Sequence, residues 1–190
     1  MRSIYKIVVC SLLTLSITSC EKDLLEKEQY QKEIYLIGAY NRVWTTEVSY
    51  SNEEVKTYFT VSSSGTLALD RDVNVKMKIN EELVDIYNKK YWTVLNEDKY
   101  YKSLDTDLYS IPSLENTVIK HAEGISTEVP VLIKTASLKI DQSYVIPVEI
   151  ESTTGYPVST SGYKMLVLLK LKNEYSGSYQ MSGHTTLEGE

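Results

Sequence analysis

Sixteen tyrosines against one Phe and two Trp give this 190-residue chain an aromatic set in which nearly every ring carries a hydroxyl. Tyr91, Trp92, Tyr100 and Tyr101 crowd into one short stretch, with Asn96, Asp98, Asp105 and Asp107 as polar company. A sugar ring offers C–H faces that stack on flat aromatic rings and hydroxyls that seek hydrogen bonds, so these four residues are candidates for glycan binding. Trp44, farther upstream, is a separate candidate. The competing reading is structural, because Tyr can bury its ring and keep its hydroxyl wet. Tyr87 is assigned to the core on that basis, from its helical spacing with Leu83.

Catalytic chemistry finds less material. A hydrolase needs a nucleophile with a base, or two carboxylates flanking one bond. His121 and His184 are the only imidazoles, and neither lies near a Gly-x-Ser-x-Gly elbow. Adjacent carboxylates such as Glu53-Glu54 point to opposite faces of a strand, and Glu81-Glu82 suit a helix start. Asp70-Arg71-Asp72 and Asp105-Thr106-Asp107 lack the longer loop of oxygens that calcium takes. Two Cys and two His cannot complete a four-ligand zinc site. The chain is therefore read as non-enzymatic, with no cofactor and no metal. Its formal charge of −6 argues against nucleic acid, which binds through Lys and Arg.

The first residues read as an address. Arg2 and Lys6 precede an apolar run, Ile7 to Ile17, too short to span a bilayer and typical of a secretory signal. Ile17-Thr18-Ser19-Cys20 resembles a bacterial lipobox, which makes Cys20 the expected lipid attachment point and a membrane the expected partner. Losing residues 1–19 removes Arg2 and Lys6 and takes the formal charge from −6 to −8. Cys10 leaves with them, so no intramolecular disulfide is expected. Residues 20–32 read as a flexible tether. The acidic residues just after Cys20 resemble the export signal of surface-exposed lipoproteins in Gram-negative glycan-utilising bacteria, so the expected location is the outer membrane, facing outward.

From residue 33 apolar residues alternate with polar ones, the signature of half-buried strands. Val73, Val75, Met77 and Ile79 are the clearest case. About seven short strands are expected, over residues 33–38, 55–60, 73–79, 117–120, 128–134, 144–150 and 165–171. Pro147 suggests an edge or a bulge, and the Met165–Leu171 run suggests burial on both faces. One helix is expected after Asn80, a good N-cap, with Glu81 and Glu82 at its start and Lys89 and Lys90 at its end. Such a pattern predicts an all-β sandwich over residues 33–172 with one inserted short helix. Residues 173–190 read as a tail whose Tyr175–Met181 segment resembles the first strand of a further C-terminal module.

Leu83-Val84-Asp85-Ile86-Tyr87-Asn88, Tyr109, Val118-Ile119 with Gly124, Leu138, then Tyr144-Val145-Ile146-Pro147-Val148 with Gly155 and Val158-Ser159 together resemble a domain-of-unknown-function family. Its members are Ig-like N-terminal domains of surface lipoproteins from polysaccharide-utilisation loci and of some family 18 glycoside hydrolases of the endo-β-N-acetylglucosaminidase kind. The resemblance implies an Ig-like fold and a surface glycan-handling setting; together with the signal it gives the expected role, support of glycan capture, with a polysaccharide or glycoprotein glycan as ligand and an outer-membrane transporter or neighbouring lipoprotein as partner. The alternatives are a structural spacer or protein-interaction domain, and the accessory N-terminal domain of a truncated glycoside hydrolase.

Overall fold

The computed structural model describes residues 27–92 and 94–173 together with Gln180, Ser182 and Gly183. The signal segment, Cys20, His184 and the Tyr175–Tyr179 part of the tail lie outside the described residues. Ten strands follow one another: β1 (Ile34–Leu36), β2 (Val43–Ser49), β3 (Glu54–Ser63), β4 (Val73–Ile79), β5 (Lys102–Ser103), β6 (Tyr109–Ser110), β7 (Thr117–Ile119), β8 (Ser126–Lys134), β9 (Tyr144–Thr153) and β10 (Lys164–Lys172). Among the described residues one α-helix, α1 (Glu82–Tyr91), is inserted between β4 and β5. The strands form two sheets, β1-β3-β8-β6 and β2-β10-β9-β4-β7, with β5 joining the second along β9. This is the expected all-β sandwich with its single helix.

Alternation explains the layers. Val73, Val75 and Met77 of β4 face inward and are at most 1 % exposed, while Lys76 and Lys78 on the outer face pair with Glu151 at 2.7 Å and Glu149 at 3.5 Å. The exposed Lys76–Glu151 pair adds little stability. The core forms where these residues meet Phe59 and Val61 of β3 and Val129, Val131 and Ile133 of β8. β10 is apolar on both faces for a reason the fold supplies. Met165, Val167 and Leu169 enter the main core, and Leu166 and Leu168 lie beneath α1 in a second cluster with Leu83, Val84, Val43 and Val145.

The polar stretch containing Trp44 forms a strand that the alternation of apolar residues did not reveal. β2 pairs in parallel with β10 from Val43 opposite Leu166 to Ser49 opposite Lys172. Thr45, Thr46, Glu47 and Ser49 hide the strand pattern, because β2 is the last strand of its sheet and its outer face meets water.

Pro147 also sits differently from expectation, in the middle of the six-stranded sheet between β10 and the end of β4. On the β10 side it lies opposite Leu166, whose N–H donates instead to the Arg42 carbonyl of β2's approach at 2.8 Å. On the β4 side the ladder ends at Ile79 opposite Val148. The Asn80 N–H still reaches the Pro147 carbonyl at 3.0 Å, and the Asn80 carbonyl accepts from Leu83 at 3.2 Å as the helix begins. The missing proline N–H therefore faces an acceptor already turned into a helical turn.

Asn80 acts at the helix start as its type suggests: its Oδ1 accepts the Glu82 N–H at 3.2 Å. The buried face includes Leu83, as its spacing suggests, with Tyr87 packed beside it, and it also takes in two residues that the spacing did not single out. Leu83, Val84 and Asn88 are buried, whereas Ile86 and Tyr91 are exposed. Residues 83, 84, 87 and 88 face the sheet because a helix lying flat on a sheet buries both adjacent rows of one face. Before the first strand, Glu28 is held by the Lys32 ammonium and by the Thr66 and Leu67 N–H groups. The Lys32 contact first, then the Thr66 bond, holds its carboxyl down at about 2.

Candidate functional site

The aromatic residues divide into groups that the sequence places side by side. On α1, the Tyr87 ring stacks on Tyr101 at 5.2 Å with planes 11° apart, and Tyr91 tilts against Tyr87 at 4.5 Å and 35°. Burial, then the neighbouring Tyr101, pushes the Tyr87 phenol up to about 12. Tyr91 is 48 % exposed and carries Lys90 Nζ 5.3 Å above its ring.

Asn88 builds this stack. It is 4 % exposed, its Nδ2 donates to the Tyr101 carbonyl at 2.9 Å, and its Oδ1 accepts the Tyr101 N–H at 3.0 Å. One amide side chain thus clamps both backbone groups of the residue that stacks on Tyr87.

The other candidates stand apart. Trp92 ends the helix with its indole N–H buried and unpartnered among the described residues, and Lys99 Nζ lies 5.9 Å from its ring. Tyr100 is half-buried and offers its carbonyl to Gln142 at 3.4 Å. Tyr109 belongs to β6 in the opposite sheet and packs on the main core; burial, with a smaller effect of Glu81, pushes its phenol up to about 12. Trp44 packs against the main core as well, on the face of β2 opposite to Val43, which lies beneath the helix. A Cβ on Gly38 would stand 2.7 Å from Trp44 Cε3, and Gly38 has φ +89°, so this glycine serves both the turn and the close approach of the indole.

The acidic pairs are occupied by structural contacts. Asp70 takes Arg71 at 2.9 Å and the Tyr156 hydroxyl, and these two hold its carboxyl well below the usual range. Asp72 accepts from the His121 N–H at 3.0 Å and faces its Nδ1 at 2.6 Å, which ties the turn after β7 to the start of β4. Asp105 caps the short turn at Asp107. Among the described residues no group of three or more His, Cys, Asp and Glu converges.

A groove of about 430 Å³ runs along the other flank of Tyr87. Ile86 and Tyr87 of α1 form one wall, Tyr40 and Arg42 of the turn before β2 another, and Thr160, Ser161, Tyr163 and Lys164 before and at the start of β10 the third. Tyr40 is 89 % exposed. The volume lies within the ~300–1,000 Å³ of small-molecule sites. Sequence reading missed Tyr40, Arg42, Tyr163 and Lys164, since they are separated by more than a hundred positions. The available signal was a ring and a cation within two positions of each other shortly after a glycine, in Gly38-Ala39-Tyr40-Asn41-Arg42 and Gly162-Tyr163-Lys164.

A family model described as an N-terminal domain matches residues 30–157, more than half of the chain. The chain belongs to that family. The resemblance carried by Leu83–Asn88 and Tyr144–Val148 is thus borne out, both segments lying within the matched residues. Comparison with curated proteins finds no significant match. Among solved structures the chain is similar to a multidomain protein including DUF1735 from Bacteroides ovatus, at 20% identity over 72% of this chain and 43% of that one, with TM-score 0.56. It is also similar to a candidate carbohydrate-binding protein from Bacteroides ovatus (19% identity, 72% and 36% covered, TM-score 0.54). A third is EndoBT-3987 of Bacteroides thetaiotaomicron, solved with a Man5GlcNAc product (18% identity, 73% and 30% covered, TM-score 0.52). At these identities the likeness is one of fold. This chain spans less than half the length of each of these three structures.

Proposed function

We infer that this domain is a non-catalytic glycan-capture module, anchored by lipid at Cys20 and exposed on the outer membrane, where it serves a transporter or neighbouring lipoprotein. The observation that carries the reading is the groove beside α1, in which exposed Tyr40 and half-buried Tyr87 and Tyr163 surround a space of sugar dimensions. Aromatic rings cover the C–H face of a sugar, and Thr160 and Ser161 lie in reach of its hydroxyls. Two structural relatives support it, one named for carbohydrate binding and one solved with a glycan product.

A glycan array probed with the full chain tests the capture role. Binding that weakens about tenfold in Tyr40→Ala, about 1.4 kcal/mol, while Trp44→Ala changes affinity less than stability, is the expected result. A well-folded chain that binds no glycan would instead favour the spacer or protein-interaction reading. The location has its own test, protease shaving of intact cells, in which the domain should be digested without permeabilisation. Digestion only after the outer membrane is opened would place it in the periplasm.

A further inference from the structure

The groove carries a charge opposite to that of the chain. The protein has 26 acidic residues against 20 basic ones, yet Arg42 and Lys164 line the groove and no Asp or Glu does. Glu82 and Asp85, the acidic residues in the first turn of α1, stay outside the lining. Lys164 is half-buried and its Nζ rests 4.9 Å from the Tyr163 ring. Neither cation has a carboxylate partner among the described residues, whereas Lys76, Lys78, Lys120 and Lys170 on the same protein each face one.

Arg42 is also the one non-glycine residue with positive φ among the described residues, at +65°. That conformation is uncommon for a side chain with a Cβ, and such strain gathers at ligand sites when the surroundings hold it in place. Here they do. The Arg42 N–H donates to Ala39 and its carbonyl accepts from Leu166, both at 2.8 Å, so the guanidinium leaves a fixed point on the sheet.

We propose that the groove takes an acidic saccharide, whose carboxylate or sulfate group is held by Arg42 and Lys164 while the exposed Tyr40 covers the sugar ring. The planar guanidinium fork matches either oxyanion with two parallel hydrogen bonds, and Lys164 adds a point charge. This assignment rests on the glycan-capture reading and names its ligand class.

Affinity electrophoresis of the full chain through gels containing dextran, dextran sulfate, polygalacturonate or yeast mannan separates the cases. Retardation by dextran sulfate or polygalacturonate but not by dextran is expected, and it should fall as salt rises, because charges a Debye length apart are screened at about 10 Å in 0.1 M salt. Arg42→Gln and Lys164→Gln should each weaken retention about tenfold, as for hydrogen bonds to charged groups, while Lys170→Gln leaves it unchanged. Lys164→Gln alters a half-buried strand start with ordinary backbone geometry and keeps the test open if Arg42→Gln unfolds. Polygalacturonate alone would assign the carboxylate, and dextran sulfate alone the sulfate. Equal retention of wild type and the double variant would overturn the assignment, as would binding to mannan or dextran only, which leaves the capture role standing. No retention in any gel, with an empty glycan array, would overturn both.

Discussion

Phe59→Ala is expected to lower the free energy of unfolding by about 3–5 kcal/mol, the usual cost of emptying a buried aromatic site. Phe59 is the only phenylalanine in the chain and is 1 % exposed on the inner face of β3, where it stands opposite Val129. It is the largest of the fully buried side chains. The two sheets are held apart by their own backbones, so they close only partly over a missing ring, and the neighbours lose contacts without replacing them. Phe59→Leu should cost clearly less, because most of the volume stays. Urea titration measures both variants. A loss below about 1 kcal/mol for Phe59→Ala would mean that the sandwich collapses around the site, against the dense core packing described.

The second large effect is expected at Asn88. Asn88→Ala removes both hydrogen bonds to Tyr101 and leaves its N–H and carbonyl to find water at a half-buried position. The expected cost is about 2 kcal/mol, since an unpaired buried polar group costs about 1–3 kcal/mol. Tyr101 should then part from Tyr87, which near-UV circular dichroism reads directly. Asn88→Asp distinguishes the clamp from simple packing. The carboxylate can still accept from the Tyr101 N–H but has no proton to give the carbonyl, so at neutral pH it should be at least as damaging as Ala. Burial disfavours the charged form, and below the carboxyl pKa the protonated acid regains a donor. Stability of Asn88→Asp relative to wild type should therefore rise as pH falls, and a flat difference between pH 7 and pH 4 would sink the clamp argument.

The elements were legible where one face was wet. Val73, Val75 and Met77 alternate with Asn74, Lys76 and Lys78, and the strand lies where that alternation puts it. The helix was legible from Asn80, the glutamates behind it and the lysines at its end. Its buried face was legible only in part, because Val84 and Asn88 turn toward the sheet only when Val145 and Leu166 are there to receive them. β2 escaped for a related reason: as the last strand of its sheet its exposed positions hold Thr, Glu and Ser, and its parallel pairing with β10 needs a partner more than a hundred residues away. Pro147 misled because its rule concerns donors, and the neighbouring strand ends where the missing donor would have pointed.

The aromatic candidates tell the same story in chemistry. Proximity in sequence grouped Tyr91, Trp92, Tyr100 and Tyr101, but only Tyr91 and Tyr101 meet around Tyr87, and the pleat turns Trp44 toward the main core and away from the helix. Meanwhile Tyr87, read as core, is half-buried at the junction of the stack and the groove.

What the sequence determined by itself was the class of fold and the position of the one helix, because both depend on local spacing of apolar, capping and turn residues; the family showed as a resemblance in particular segments such as Leu83–Asn88 and Tyr144–Val148. What only the tertiary structure decided was the groove. Arg42, Tyr87 and Lys164 converge because β10 lies between β2 and β9 and α1 packs across them, and the side chains brought together by that order of strands share no spacing along the chain.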